Sequence, residues 1–285
     1  MARPVVKGGT LFVLSTPIGH LGDFSFRGLE VLRRVAVVAA EDTRRTRRLL
    51  GHYEVVREVV SLHAHSQVED IERLLDRVAA GEDVAYVTDA GTPAISDPGA
   101  ALVARAHERG VGVVPIPGPA AVIAALAAVG LPADRFLFLG FLPRKGTARA
   151  ALLQRIAAES WTTVCYEAAN RTTALLRDLV AACGADRPAA VARELTKIHE
   201  EIRRGTAGQL AQYYEEHPPR GEVTVVVGGA PRGAAEPSPA APDEDEAREL
   251  VAALRADGGA PGAIAKELAQ RLGISRRDAY RLLSR

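Results

Sequence analysis

Three loops rich in proline and glycine each follow an apolar segment of strand length, which is an arrangement suited to binding a small ligand. Gly91 removes a side chain where the backbone must bend, so the peptide groups of residues 90–95 can approach a ligand closely. Asp97 followed by Pro98 matches the start of a helix. The first loop lacks the glycine spacing of a dinucleotide-binding motif. The loops are "STPIGHLGD" at 15–23, "TDAGTPAISDPG" at 88–99 and "PIPGPA" at 115–120.

A second group of residues is strongly basic. Arg44, Arg45, Arg47 and Arg48 lie together, and guanidinium groups this close repel one another unless an anion or an acidic partner is near. A second basic patch lies near the end of the chain and contains Lys266, Arg271, Arg276, Arg277, Arg281 and Arg285. Both patches predict contact with phosphate. The alternatives are a solvated helix face and pairing with nearby acids such as Glu41 and Asp42.

The elements that must position these loops follow from hydrophobic periodicity. Apolar runs alternate with segments of helical period, which indicates βα units around a largely parallel sheet, with an eight-stranded barrel as the first alternative. Ligands in open α/β sheets bind beyond the carboxyl ends of the strands, where all three loops would lie. The apolar runs are at 10–14, 35–40, 84–88, 111–116, 136–142, 162–167, 189–193 and 223–227.

The domain organisation is predicted from prolines and low-complexity stretches. Pro115, Pro117 and Pro119 stiffen the chain where it would cross between domains. The stretch at 228–246 is Gly, Pro, Ala and acid without periodicity, which is typical of a linker. Beyond it, helical spacing and a Ser275–Asp278 capping box predict a helix-turn-helix-like unit. The predicted divisions are two α/β domains at 1–117 and 118–230, a linker at 231–246 and a small helical unit at 247–285.

Composition limits the class of protein. A net charge of +1 and an apolar fraction of 47% predict a soluble globular chain. Cys165 and Cys183 have no metal-ligand spacing, and His63 and His65 lack a third ligand, so no metal is expected. The absence of a secretory signal in the sequence favours the cytoplasm. The apolar stretch at 120–130 is too short to span a bilayer.

Seven motifs, in order and spacing, resemble the tetrapyrrole-methylase-like family over about residues 9–230. They are "STPIGHLGD", "AAEDTRRTRRLL", "TDAGTPAISDPG", "PIPGPAAVIAAL", "GFLPRK", "YEAANR" and "RELTK". Within that family the resemblance is to the branch that methylates small-subunit ribosomal RNA. It implies a two-domain α/β enzyme, usually a homodimer, that binds S-adenosylmethionine in the cleft between its domains. It also implies transfer of a methyl group to the ribose 2′-hydroxyl of a cytidine in 16S rRNA, with free RNA or the assembled small subunit as substrate.

The resemblance also implies roles for individual residues. The cofactor would contact Ile18, Asp89, Ala90, Gly91, Thr92, Ile95, Asp97, Ala120 and Ala121. The base that removes the ribose proton would be Glu167 or Glu194. The basic residues themselves fit an RNA substrate of this kind, and the RNA is expected to contact Arg44, Arg45, Arg47, Arg48, Arg144, Lys145 and Arg171. No metal is required.

The sequence departs from the branch at two places. His20 stands where asparagine is usual, and "AAN" at 168–170 replaces Ser-x-His. Two other functions remain open. A small-molecule methyltransferase acting on a tetrapyrrole is disfavoured because "TPIG" replaces the glycine-rich loop of those enzymes and a basic cluster follows it. A ligand-sensing regulator that binds DNA through 261–285 is disfavoured because a sensor needs no basic cluster beside its cleft.

Overall fold

The computed structural model of the chain divides into two compact units, Met1–Ala230 and Pro231–Arg285. It describes residues 8–63, 66–95, 99–231, 250–255, 261–271 and 276–283.

The first unit begins with a five-stranded sheet in which every pair of neighbouring strands is parallel. Its order is β3-β2-β4-β1-β5. The strands β2 and β4 are buried along their whole length, because helices cover both faces of a parallel sheet. The strands are β1 (Thr10–Leu14), β2 (Val37–Ala40), β3 (Glu58–Ser61), β4 (Val84–Val87) and β5 (Gly112–Ile116). The helices are α1 (Phe26–Arg34), α2 (Thr43–His52), α3 (Val68–Ala79) and α4 (Gly99–Glu108), with a short 3₁₀ turn at Leu21–Asp23.

The order of the first sheet brings the three proline- and glycine-rich loops together, as expected. Strand β1 lies between β4 and β5, so the loops that follow these strands leave the same edge of the sheet side by side. Thr16 N donates to Gly91 O at 2.9 Å, and Gly91 N donates to Thr16 O at 3.1 Å. Ser15 Oγ donates to Thr92 Oγ1, which in turn donates to Pro119 O, both at 3.1 Å. Hydrogen bonds therefore join all three loops.

A second five-stranded sheet has the order β6-β7-β10-β8-β9. Only the β6–β7 pair is parallel, and the other three pairs are antiparallel. The strands are β6 (Phe136–Phe141), β7 (Thr162–Ala168), β8 (Pro188–Arg193), β9 (Glu201–Thr206) and β10 (Glu222–Val227). The helices of this half are α5 (Ala121–Val129), α6 (Thr147–Ala158), α7 (Ala169–Cys183) and α8 (Ala207–Glu216).

The expectation of a largely parallel sheet holds for the first sheet and not for the second, which is mostly antiparallel. In its β8–β9 pair, the seven residues at 194–200 join the strands directly, whereas parallel neighbours need a longer crossover. The ten strands form two open sheets, which excludes the eight-stranded barrel. The strands β3 and β9 were absent from the predicted set, and each lies at the edge of its sheet.

The second unit is helical. A helical segment at 250–255 precedes α9 (Pro261–Arg271) and α10 (Arg276–Leu283). Ile264, Leu268 and Ala279 are buried together. The predicted cap at Ser275 lies outside the described residues, as does the linker beyond Pro231. Within the ranges that the structure describes, no helix has the length and hydrophobicity needed to cross a membrane.

Candidate functional site

A cavity of about 500 Å³ lies beyond the carboxyl edge of the first sheet, and residues of the second sheet form its other wall. We call it the donor cavity, because the residues expected to contact a methyl donor lie there. Eight of the nine residues expected to contact a cofactor line it, and the ninth, Asp97, lies outside the described residues. The eight are Ile18, Asp89, Ala90, Gly91, Thr92, Ile95, Ala120 and Ala121.

Glycines let the three loops approach closely at this wall. Gly91 has a φ of +88°, a conformation that disfavours other residues, and a Cβ there would lie 3.3 Å from Ile18 Cγ2. Gly118 packs against Ser15, whose Cβ would be 2.8 Å from a Cβ on the glycine. Because side chains are absent at these points, the three loops pack closely against one another beside the cavity.

Asp89 connects the donor cavity to the arginine-rich helix α2. Asp89 Oδ1 accepts a hydrogen bond from Asp42 N at 2.9 Å, and Asp89 Oδ2 lies 3.7 Å from Arg45 Nε. Asp42 caps α2 by accepting from Arg44 N at 2.8 Å. The Arg44 guanidinium, hydrogen-bonded to Asp42, lowers the pKa of that carboxyl to about 2. A hydrogen bond therefore holds the start of α2 against the loop that follows β4.

Glu167 lines the donor cavity from the end of β7. Its side chain is fully buried and pairs with Arg171 through Oε1, which also accepts from Ala168 N at 2.8 Å. Glu167 Oε2 is buried and has no hydrogen-bond partner within the described part of the chain. A buried carboxylate oxygen without a partner is costly unless a ligand or substrate group completes it.

Glu194, the other candidate base, has different surroundings and does not line the donor cavity. It pairs with Lys197 Nζ at 2.9 Å and accepts from Glu222 N at 3.0 Å. The hydrogen bond from Lys197 lowers the pKa of Glu194, and a carboxylate with a lower pKa is a weaker base. Glu194 also holds a left-handed backbone, with a φ of +49°.

The loop after β8 contacts the first loop of the other sheet. His20 N donates to Thr196 Oγ1 at 2.9 Å. Gly19 has no room for a side chain, because a Cβ there would lie 2.5 Å from Lys197 Cγ and 2.6 Å from Thr196 Oγ1. His20 Nδ1 accepts from Gly22 N at 3.1 Å, so its side chain caps the short 3₁₀ turn.

The arginines expected to contact RNA fall into distinct settings. Arg44 pairs with Asp42, and Arg47 donates to Thr43 Oγ1 at 3.2 Å. Arg45 lines the donor cavity. The pair Arg144 and Lys145 is exposed in the loop between β6 and α6. Arg171 is half-buried, and its guanidinium is engaged by Glu167. Arg48 lies on the wall of a second cavity.

Several lining residues were not foreseen. Tyr166 OH accepts from Val122 N at 3.3 Å, and burial raises the pKa of this phenol, so it stays protonated. Phe141 packs against the Tyr166 ring. A glycine just before an apolar run, as in "RGEVTVVV", was the available signal for Gly221 and Glu222. The unforeseen residues are Glu41, Thr88, Phe141, Tyr166, Ala168, Ala169, Gly221, Glu222, Val223 and Thr224.

No cluster of metal-ligating side chains occurs among the residues that the structure describes. His65, which with His63 was considered as a metal ligand, lies outside them.

Comparisons with known proteins agree with this architecture. Residues 10–211 match the family model for tetrapyrrole (corrin/porphyrin) methylases. A Synechocystis protein named ribosomal RNA small subunit methyltransferase I is 42% identical over 96% of this chain and 97% of its own length. A protein of the same name from Pseudomonas aeruginosa is 47% identical over 80% of this chain and 82% of its own length.

Two solved structures share the fold. A cobalt precorrin-4 methyltransferase superposes with a TM-score of 0.60 at 21% identity, covering 77% of this chain and 94% of that one. A diphthine synthase gives a TM-score of 0.59 at 19% identity, and the match covers 77% of this chain and 90% of that one. The chain therefore belongs to the tetrapyrrole (corrin/porphyrin) methylase family and uses that family's methyl donor, S-adenosylmethionine.

Proposed function

We propose that the protein methylates the ribose 2′-hydroxyl of a cytidine in 16S rRNA. One observation carries this proposal beyond the names of the relatives. The helix that bears Arg44, Arg45, Arg47 and Arg48 begins at Asp42, which is hydrogen-bonded to Asp89 on the wall of the donor cavity. Cations that can bind the RNA backbone therefore lie next to the place from which the methyl group is donated.

The donor cavity fits S-adenosylmethionine in size and in chemistry. Its volume of about 500 Å³ is within the usual range for ligand pockets, roughly 300–1,000 Å³. Ile18, Ala120 and Ala121 supply apolar contacts, and the residues around Gly91 supply backbone groups. Asp89 supplies carboxylate oxygens for hydroxyl or cationic groups. Asp97 is proposed to join them.

When bound, S-adenosylmethionine supplies a methyl group to the ribose oxygen, and the electron pair of the broken carbon–sulfur bond stays on sulfur. The protein must align the acceptor oxygen and remove its proton. We assign proton removal to Glu167, because Oε2 has a free position for a hydroxyl hydrogen while Arg171 and Ala168 N hold Oε1. Glu194, held by Lys197, is assigned to positioning the loop that carries Lys197.

The domain boundaries, the oligomeric state and the extent of the RNA-binding surface are part of the same proposal. Strand β5 ends at Ile116 and β6 begins at Phe136, which supports domains at 1–117 and 118–230 with the cleft between them. The family resemblance supports a homodimer in the cytoplasm that acts on 16S rRNA, free or assembled. Arg144 and Lys145 are proposed to extend the RNA surface, since both are exposed close to Phe141.

Asp89→Asn is expected to weaken S-adenosylmethionine binding about tenfold, because the charge that accepts from the ligand is lost. The asparagine oxygen still accepts from Asp42 N, so the melting temperature should change little. Calorimetry measures the affinity. Asp134→Asn, which removes a charge from an exposed loop, is the matched control. Equal affinity in both variants would place the cofactor away from Asp89.

The function is tested by mapping 2′-O-methylation on small-subunit RNA from cells that lack the protein. One cytidine should lose its methyl group, and purified protein with S-adenosylmethionine should restore it in vitro. Calorimetry in the presence of a chelator should detect cofactor binding without added metal. An unchanged methylation map would contradict the RNA assignment. Methylation of a tetrapyrrole by the purified protein would favour the small-molecule alternative.

A further inference from the structure

A second cavity, of about 670 Å³, adjoins the donor cavity. Its walls are the first loop, one face of α2 and Lys197. Six residues line both cavities, so the two share a wall. The shared residues are Ile18, Arg45, Thr88, Asp89, Ala90 and Glu222. A group bound in the second cavity would therefore lie beside a group bound in the first, which is the geometry that transfer between two ligands requires.

The face of α2 that lines the second cavity is defined by helical spacing. Arg45, Arg48 and His52 recur at intervals of three and four residues and all line it. Arg44 and Arg47 lie outside this set and line neither cavity. The helix therefore presents two of its four clustered arginines to the cavity wall.

The cationic side chains on the wall of the second cavity differ in whether an acidic side chain pairs with them. Lys197 Nζ lies between Glu194 at 2.9 Å and Glu222 at 3.0 Å. Arg45 Nε lies 3.7 Å from Asp89. Arg48 makes no ion pair with any residue that the structure describes. An uncompensated guanidinium in a concave wall is suited to bind a phosphate.

The shared wall also carries an unsatisfied hydroxyl. Thr88 Oγ1 is buried and has no hydrogen-bond partner in the described part of the chain. Thr88 is only 5% exposed, and it lines both cavities. A buried hydroxyl without a partner is uncommon in native proteins, and a sugar hydroxyl at this wall would complete it.

We propose that the second cavity is the acceptor pocket, which holds the nucleotide whose ribose is methylated, and that Arg48 binds a phosphate adjoining that ribose. The ribose would lie at the shared wall, so that its 2′-hydroxyl enters the donor cavity, which Glu167 lines. This inference rests on the proposed RNA function. The volume of the second cavity is within the range of pockets that hold ligands of nucleotide size. An RNA strand whose nucleotide enters this pocket would run along α2, with Arg44 and Arg47 outside the pocket.

The test compares Arg48→Ala with Arg47→Ala and Arg33→Ala in steady-state methylation of small-subunit RNA at saturating S-adenosylmethionine. Arg48→Ala should raise the KM for RNA about tenfold, the usual loss for one charge-assisted hydrogen bond. It should also reduce the log–log salt slope of kcat/KM by roughly 0.7 to 0.9. Arg47→Ala should have a smaller effect on KM. Arg33, exposed on α1, is the control and should match wild type.

Two further measurements separate phosphate binding by Arg48 from a loss of folding and from an effect on the cofactor. Arg48→Lys keeps the charge and should retain the wild-type salt slope, and the melting temperature of Arg48→Ala should equal that of wild type. The S-adenosylmethionine affinity of Arg48→Ala, measured by calorimetry, should equal that of wild type. A loss of cofactor affinity would assign the second cavity to the donor and overturn the inference.

The outcomes distinguish this inference from the proposed function. If wild type methylates the RNA but Arg48→Ala behaves like Arg33→Ala, the acceptor pocket is wrong and the RNA function stands. Equal effects of Arg47→Ala and Arg48→Ala would indicate a diffuse basic surface and would also overturn the pocket. If wild type methylates no small-subunit RNA, the proposed function fails and this inference fails with it.

Discussion

Glu167→Gln is expected to lower the single-turnover rate of methyl transfer by roughly 10²- to 10⁴-fold, the usual contribution of a general base. Glutamine has nearly the same shape but cannot accept the ribose proton. Its amide oxygen can still accept from Ala168 N and from Arg171, which now contact Glu167 Oε1. The fold should therefore be retained, and the loss should appear in the chemical step.

The control for this prediction is Glu194→Gln. Glu194 is held by Lys197 and Glu222 N and does not line the donor cavity, so we expect a smaller loss of rate. Melting curves and cofactor affinities of both variants report any structural effect. A wild-type rate in Glu167→Gln would exclude Glu167 as the base, and a larger loss in Glu194→Gln would transfer that role to Glu194.

Gly221→Ala should destabilise the protein by about 2–4 kcal/mol. Gly221 has a φ of +82°, which costs other residues about 1–3 kcal/mol. A Cβ there would also lie 2.1 Å from Glu194 Oε1. Glu194 cannot move aside freely, because it accepts from Glu222 N and pairs with Lys197, and each lost hydrogen bond adds about 1 kcal/mol.

The matched control is Gly184→Ala. Gly184 has a similar φ of +88°, and no atom lies within 4 Å of a Cβ built there. Gly184→Ala should therefore show the cost of backbone strain without any displacement of Glu194. Urea denaturation of both variants gives the two losses, and their difference measures the contact with Glu194. Equal losses would mean that the arrangement of Glu194, Lys197 and Glu222 does not contribute to stability.

The sequence predicted the elements whose residues are uniformly apolar. The strand β4, "VAYV", is buried along its length and was foreseen from hydrophobicity alone. The strand β9, "EIRRGT", was missed because an edge strand exposes charged side chains, and Glu201 there pairs with Arg193 and Arg203. The direction of a strand leaves no trace in its own residues, so the antiparallel pairing of β10 could not be foreseen.

Some residues of the site could also be predicted from the sequence, and others could not. Turns of glycine and proline have a signature that is visible in the sequence, and Ile18, Gly91 and Ala120 of these turns line the donor cavity. Tyr166 and Glu222 reach the cavity through tertiary packing of the second sheet on the first, which no local pattern encodes. Which arginines of the cluster line a cavity depends on where α2 lies relative to the cavities. Helical spacing shows which arginines share a face, but it does not show what that face contacts.

The first loop joins the two sheets by more than the chain at 117–135. His20 N donates to Thr196 Oγ1, and Ile18 packs in one apolar cluster with Val122 and Leu195. A displacement of one sheet relative to the other would therefore break a hydrogen bond and expose apolar surface. Productive alignment of two reacting groups tolerates an error of only about 0.5 Å. Because Ile18 also lines the donor cavity, the same contacts resist displacement at the place where such alignment is needed.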